Sequence, residues 1–251
     1  MTHALVLRTA GTNCDEETMH ALKISGASAD LKHVQEIYRE PELLHRYAIM
    51  VVPGGFSYGD DIAAGKILAN ELQYKLGAAL RQFVANRRLL IGVCNGFQVL
   101  VKAKILPAVS DLSAGQDATL TLNSSGRFQC HWTTIKCEKS KAAWLNNLPK
   151  TFELPIAHGE GRFVAKDKDT LAALEKNGQV VFRYHASNPN GSNHDIAGIC
   201  NPAGNVLGLM PHPERFITKY QHPLWTQGKI ADPTPGFKFW QAAVDYAKGI
   251  K

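Results

Sequence analysis

Paired cysteines are missing from this 251-residue chain. Its five cysteines, Cys14, Cys94, Cys130, Cys137 and Cys200, are odd in number and no two form a C-x-x-C pair. Neither a disulfide framework nor a zinc site is implied, and no bound metal is expected. Long apolar runs are missing too. The opening stretch MTHALVLRTAG is too short for a secretory leader, and no segment approaches the roughly 20 apolar residues of a membrane-spanning helix. A reducing, cytoplasmic setting with no membrane partner is the expectation. There is no G-x-x-x-x-G-K-[ST] loop and no glycine pattern of dinucleotide type, so this chain is expected to bind no nucleotide cofactor of its own. The formal charge of +6 would suit an anionic partner, yet the basic residues never cluster beyond NRRLL around Arg87 and Arg88. That charge reads as a solvated surface and not as a nucleic-acid footprint. With 45% hydrophobic and 20% charged residues, and no repeat, low-complexity tract or linker, the sequence is that of an ordinary globular protein. One compact domain over residues 1–251 is the simplest layout.

What is present alternates. ALVLR (4–8) is a strand pattern, and DEETMHALKISG (15–26) is a helix with acidic residues in its first turn, closed by Gly26. YAIMVVPGG (47–55) is a continuous apolar run ending in a Pro-Gly-Gly turn, as in a strand buried on both faces. Leu68, Leu72, Leu76, Leu80 and Val84 recur at i, i+4 and predict a helix with one buried stripe, after which LLIGVC (89–94) reads as the next strand. Strand–helix–strand–helix order predicts a doubly wound, flavodoxin-like α/β sheet with flanking helices. After Leu106-Pro107 the pattern changes. DATLTLNSSGRFQCHWTTIKCE predicts a hairpin around Asn-Ser-Ser-Gly, and QVVFRYH (179–185), DIAGIC (195–200) and NVLGLM (205–210) predict further strands joined by short turns. The sheet should therefore be mixed, with an antiparallel extension, and GFKFWQAAVDYAKG (236–249) should close the chain as a helix.

In open α/β sheets ligands bind beyond the carboxyl ends of the strands. Two turns of unusual composition fall there, PGGFSYGD (53–60) and VCNGF (93–97). A cysteine on a tight strand-to-helix turn is held exposed, needs small neighbours, and feels the N-terminal field of the helix, which favours thiolate. Alone, Cys94 is read more readily as a small buried hydrophobe. A nucleophile needs a base, and ten histidines are available. In GLMPHPERF (208–216), His212 lies between Pro211 and Pro213 at a strand end, and Glu214 comes two residues later, at a spacing that lets its carboxylate accept a hydrogen bond from the imidazole. In isolation His-Pro-Glu is as easily an ordinary proline-rich loop. Together with Cys94 it makes a nucleophile–base–orienter set. The amide of Asn95 and the glycines Gly54 and Gly55 are candidate donors for a developing oxyanion, although a glycine pair after a strand is more often only a turn.

GVCNGFQVL resembles the G-x-C-x-G-x-Q nucleophile signature of class I glutamine amidotransferases, and PHPER resembles their His-x-Glu element. GTNCD (11–15), PGGFSYGD (53–60), HGEGRF (158–163), NPNGS (188–192), IAGICN (196–201) and GNVLGLMPHPER (204–215) are similar, in order, to the glutaminase-subunit branch of phosphoribosylformylglycinamidine synthase. Ala10 stands where that branch has proline, and GDDIAAGKIL (59–68) is more polar and less aromatic than its usual continuation. The resemblance implies the class I amidotransferase fold, with Cys94, His212 and Glu214 catalytic and Gly55 and Asn95 shaping the oxyanion hole. It further implies that Gly54, Gln98, His158 and Gly159 border a pocket for L-glutamine. It implies a large synthetase subunit that uses ATP and Mg²⁺, and a small bridging subunit. Competing readings are a glutaminase of another pathway, a cysteine-elbow thiol hydrolase acting on peptides or small aldehydes, and a catalytically dead binding subunit. Cysteine-elbow hydrolases tend to carry histidine where this chain has Asn95. Cys14, Cys130, Cys137 and Cys200 have no base nearby in sequence, so Cys94 is expected to be the reactive thiol.

Overall fold

The structure is a computed structural model and describes residues 2–109 and 116–250. Its first half obeys the apolar spacing. Strands β1 (His3–Arg8), β2 (Ser28–His33), β3 (Ile49–Val52) and β4 (Leu89–Val93) alternate with helices α1 (Asp15–Ile24), α2 (Val34–Arg39), α3 (Lys66–Ala85) and α4 (Asn95–Lys102). The second half adds β5 (Ala118–Thr121), β6 (Gln129–Cys137), β7 (Thr151–His158), β8 (Arg162–Ala165), α5 (Lys168–Lys176), β9 (Val180–Tyr184), β10 (Ile196–Cys200), β11 (Val206–Leu209) and α6 (Pro235–Lys248).

Nine strands form one sheet in the order β2-β1-β3-β4-β11-β10-β9-β6-β7. From β2 to β11 every pairing is parallel, and from β11 to β7 every pairing is antiparallel. This is the doubly wound, mixed arrangement expected, with 2-1-3-4 order at its parallel end. IMVV, LLIGV and VLGL are buried at every position because helices cover both faces of the central strands. No helix among the described residues is long and apolar enough to cross a membrane.

Two sequence expectations are corrected, and one edge strand lies outside them. DATLTLNSSGRFQCHWTTIKCE is not a hairpin: β5 pairs antiparallel with β8 in a separate two-stranded sheet, while β6 joins the main sheet between β9 and β7. The physical reason is Asn123, whose buried side chain turns inward to bond the backbone and ring of the 158–161 segment, so the chain folds around it and does not double back. The stripe of α3 ends on buried Phe83, with Val84 only half-buried, because i, i+3 from Leu80 shares the inward face as well as i, i+4 does. The polar strand β2 has no counterpart among the expected elements. It lies at the sheet edge, where a half-buried SADLKH leaves no apolar alternation to read.

Candidate active site

β4 ends at Val93 and α4 begins at Asn95, so the whole reversal is made at Cys94. Its backbone takes φ 50° and ψ −105°, a conformation sparsely populated by side-chain-bearing residues. The turn closes only because Gly92 and Gly96, two residues away on either side, carry no side chains. A Cβ on Gly96 would lie 1.8 Å from the carbonyl oxygen of Val52 on the adjacent strand, and one on Gly92 would lie 2.6 Å from that of Gly96. The Cys94 N–H donates to the Leu209 carbonyl (2.8 Å), which pins the elbow to the end of β11. The thiol, 5% exposed, faces the Ala157 carbonyl at 3.6 Å.

β11 is the parallel neighbour of β4, so the loop leaving its carboxyl end lands beside Cys94. Three residues on, His212 donates its backbone N–H to the Pro155 carbonyl (2.9 Å). Its Nδ1 lies 2.6 Å from Glu214 Oε1, the contact expected from their spacing. With Nδ1–H donating to the carboxylate, Nε2, buried with no hydrogen-bond partner, is the nitrogen that gains and loses the second proton. Burial opposes charge on the imidazole, but the Glu214 carboxylate and the neighbouring Cys94 outweigh it and hold the His212 pKa well above its ordinary value.

The loops after β1 and β3 complete the site. Gly54 lies among the reactive groups: a Cβ there would fall 2.9 Å from His212 Cε1, 3.0 Å from Cys14 Sγ and 3.4 Å from Cys94 Cβ. Gly55, at φ +141°, backs onto the GTNCD loop, where a Cβ would lie 2.7 Å from both Asn13 N and Gly11 O. Asn13 and Cys14 donate their amides to Gly54 O, and Phe56 donates to Gly11 O, pairing that loop with PGGF. Asn95 starts α4, so its N–H is one of the first-turn donors a helix leaves without an intrahelical acceptor. Its side chain accepts from Ser57 N (3.2 Å) and donates to Asp60 (3.2 Å) and Gln98 (3.0 Å). Gln98 in turn donates to the Glu160 carbonyl (2.7 Å). The Gln98 amide is thus a brace between α4 and the HGEGRF segment, with its oxygen and nitrogen both engaged. Behind it, buried Lys102 donates to Ala64 O (2.6 Å) and lies 3.8 Å from the Glu160 carboxylate.

His158, at the end of β7, is 2% exposed and lies 3.1 Å through Nδ1 from Asn123 Oδ1. Because Asn123 spends its amide nitrogen on Arg127 O and His158 O, its oxygen is the acceptor. Nδ1 therefore carries the proton, and the partnerless buried Nε2 is an acceptor. Burial, helped by the nearby His212 charge, lowers the His158 pKa to about 4. The NPNGS segment braces this region: Asn190 donates to Gly161 O (2.8 Å) and Tyr184 Oη (3.1 Å), and Ser192 Oγ accepts from Phe163 N (2.9 Å). Gly159 contributes its carbonyl to Asn123 N (2.9 Å) and no side-chain contact of its own.

The depressed pKa of His158 has a consequence for stability. Its folded pKa, near 4, lies below the ordinary value of 6.5. Between these values the unfolded chain binds more protons, so this residue's contribution falls as pH drops from about 6.5 to 4, by at most about 3 kcal/mol. His158→Asn should flatten the fall of Tm across that window in calorimetric scans. A slope equal to that of wild type would mean that His158 is not buried neutral.

Sequence reasoning missed Cys14, Arg215 and Asn123. Cys14 does have a base nearby: Sγ lies 3.9 Å from His212 Nδ1, donated by a loop 198 residues away in sequence. Arg215 Nη2 donates to that sulfur (3.2 Å) and Nε to Glu17 (2.8 Å). The donor atoms of Cys14, His212 and Glu214 lie within 4.8 Å of one another, a spacing a metal ion could span, but the Arg215 guanidinium puts a fixed positive charge against the same sulfur. Burial pushes the Cys14, Cys137 and Cys200 thiols up to about 11. These stay protonated and slow to react at neutral pH. A glutamine-analogue chloroketone should label Cys94 first, and L-glutamine should protect it. Exposed Cys130 should react only with general alkylators, regardless of glutamine. Peptide mass mapping that found the label mainly on Cys14 would contradict this.

Residues 1–247 match the CobB/CobQ-like glutamine amidotransferase domain. The chain is 41% identical to the phosphoribosylformylglycinamidine synthase subunit PurQ of Dehalococcoides mccartyi over 98% of each chain. It is 37% identical to that of Archaeoglobus fulgidus, covering 98% of this chain and 97% of the relative. Among solved structures, a chain of PurLQS from Thermotoga maritima is similar at TM-score 0.76 and 31% identity over 98% of both chains. A glutamine amidotransferase of the same organism shares the fold, at TM-score 0.59 and 16% identity over 99% of both chains. With the Cys94 elbow and the His212–Glu214 pair at adjoining strand ends, the chain belongs to the glutamine amidotransferases, in the family of the phosphoribosylformylglycinamidine synthase subunit PurQ.

Proposed function

We propose that this chain hydrolyses L-glutamine to glutamate and ammonia. The ammonia passes to a synthetase subunit that converts formylglycinamide ribonucleotide to formylglycinamidine ribonucleotide. The observation that carries the reading is the Cys94 elbow set beside an imidazole whose Nδ1 is held by Glu214 at 2.6 Å and whose Nε2 is left free. Cys94 Sγ attacks the side-chain amide carbon as His212 takes the thiol proton. The Asn95 and Gly55 N–H groups receive the oxyanion. His212 returns the proton to the departing nitrogen, releasing ammonia and leaving a γ-glutamyl thioester on Cys94. It then activates the water that frees glutamate. Glu214 keeps the proton on Nδ1 and stabilises the imidazolium. Gly54 admits the substrate without a side chain in the way, and the free Nε2 of His158 is an acceptor for a substrate N–H. Gln98, Gly159 and the Asn123 brace set the position of that wall.

The PurLQS relative supports a complex in which this chain meets a synthetase and a small bridging subunit. ATP and Mg²⁺ belong, in this reading, to the synthetase, and the complex works in the cytoplasm. The test is a reconstitution: glutamate release by this chain should rise when the two partner subunits and the ribonucleotide are added. Unchanged release, with no glutamine-driven product, would refute the pairing.

A further inference from the structure

Cys14 has no part in the mechanism above, yet its sulfur is 1% exposed and 3.9 Å from the Nδ1 edge of the histidine that mechanism turns on. The atoms around it fix its polarity. The thiol proton goes to Asn13 Oδ1 (3.2 Å), and Arg215 Nη2 donates to the sulfur (3.2 Å). A neutral thiol with its proton so committed turns lone pairs toward His212. The other neighbour of Nδ1 is Glu214, whose second oxygen is buried without a partner, so that carboxylate is held from one side only. The Cys14 backbone is anchored at both ends of its peptide: N–H to Gly54 O (3.2 Å), and carbonyl accepting from Thr18 Oγ1 (2.6 Å). Gly54, with no side chain, lets this sulfur and the imidazole close on one another across it.

We infer that Cys14 is a positioning residue for the glutaminase reaction. Its sulfur is a second acceptor surface for His212 Nδ1–H, and through Arg215 and Glu17 it ties the His-x-Glu segment to α1. It keeps Nε2 aimed at Cys94 as the ring gains and loses a proton. Its place in the fold explains why the GTNCD loop, remote from the elbow in sequence, must pair with PGGF.

The inference rests on the glutaminase reading, and the test separates the two. In the complex with the synthetase subunits, Cys14→Val keeps the side chain's bulk but removes the lone pairs, whereas Cys14→Ser keeps a polar acceptor. Cys14→Val should lower kcat for glutamine about tenfold or more, the scale of a misaimed catalytic group. KM should stay within about twofold on the same argument, and ammonia-dependent synthesis should be unchanged. The alkaline limb of the pH–rate profile should move to lower pH, because His212 loses an acceptor for its proton. Cys14→Ser should restore most of kcat and the position of the limb. Wild-type kcat and limb in Cys14→Val would overturn the inference. So would a loss shared with ammonia-dependent synthesis, or one that Cys14→Ser does not relieve. Cys94→Ala measured alongside reports on the reading itself: if that variant still hydrolyses glutamine, the glutaminase assignment fails first.

Discussion

Cys94→Ala abolishes glutamine-dependent synthesis by the reconstituted complex and leaves ammonia-dependent synthesis intact. The first loss comes from removing the only atom that bonds to the substrate carbon, and a deficit of about 10⁴-fold or more in kcat is the scale for deleting such a nucleophile. The second half of the result comes from packing. Alanine keeps the Cβ that the elbow already accommodates at φ 50°, and the Cys94 N–H still donates to Leu209 O, so the turn and its docking on β11 persist. Chemistry on the ribonucleotide belongs to the partner and needs only ammonia. Steady-state assays with the two nitrogen donors decide the matter. Equal loss with both would refute the division of labour.

Glu214→Gln gives the second large effect. The carboxylate at 2.6 Å has two jobs: it holds the proton on Nδ1, and its charge raises the affinity of the ring for a proton. Glutamine at this position can present its amide nitrogen to Nδ1 and favour the wrong tautomer, which in a serine triad costs about 10⁴ in kcat. A sulfur nucleophile is less dependent on its base, so a loss of about 10²–10³ is expected here. His212 must hand a proton to the departing nitrogen, and activity falls at high pH as the ring loses it. Removing the charge that raises the His212 pKa therefore moves the alkaline limb to lower pH. Single-turnover acylation measured against pH reports both effects. Wild-type acylation with an unmoved limb would show that Glu214 only braces its loop.

The parallel half of the fold was legible because burial on both faces writes itself into the sequence as unbroken apolar runs, and the elbow was legible only once Cys94 was taken together with the His212-Pro-Glu214 stretch. Glu214 could be assigned to His212 because only Pro213 stands between them. Cys14 could not be assigned, because its contact with His212 exists only once β1 and β11 lie in one sheet. The β5–β8 pair was illegible for a related reason. Asn-Ser-Ser-Gly has the composition of a hairpin turn, and nothing local announces that Asn123 spends its amide on His158 and Gly161. Gln98 is expected at the pocket wall. Its side chain holds Asn95 to the Glu160 carbonyl, a bracing contact that depends on where the 158–163 segment returns.

The central claim is that glutamine nitrogen leaves through a thioester on Cys94. Rapid acid quench of the complex with glutamine radiolabelled in its carbon chain, then proteolysis and mass mapping, tests it most directly. The account predicts a γ-glutamyl group on the peptide carrying Cys94, absent from Cys94→Ala and strongly reduced when His212 is replaced, because His212 serves thioester formation as well as its hydrolysis. Label on the Cys14 peptide, or glutamate formed at the wild-type rate with no label on Cys94, would contradict it.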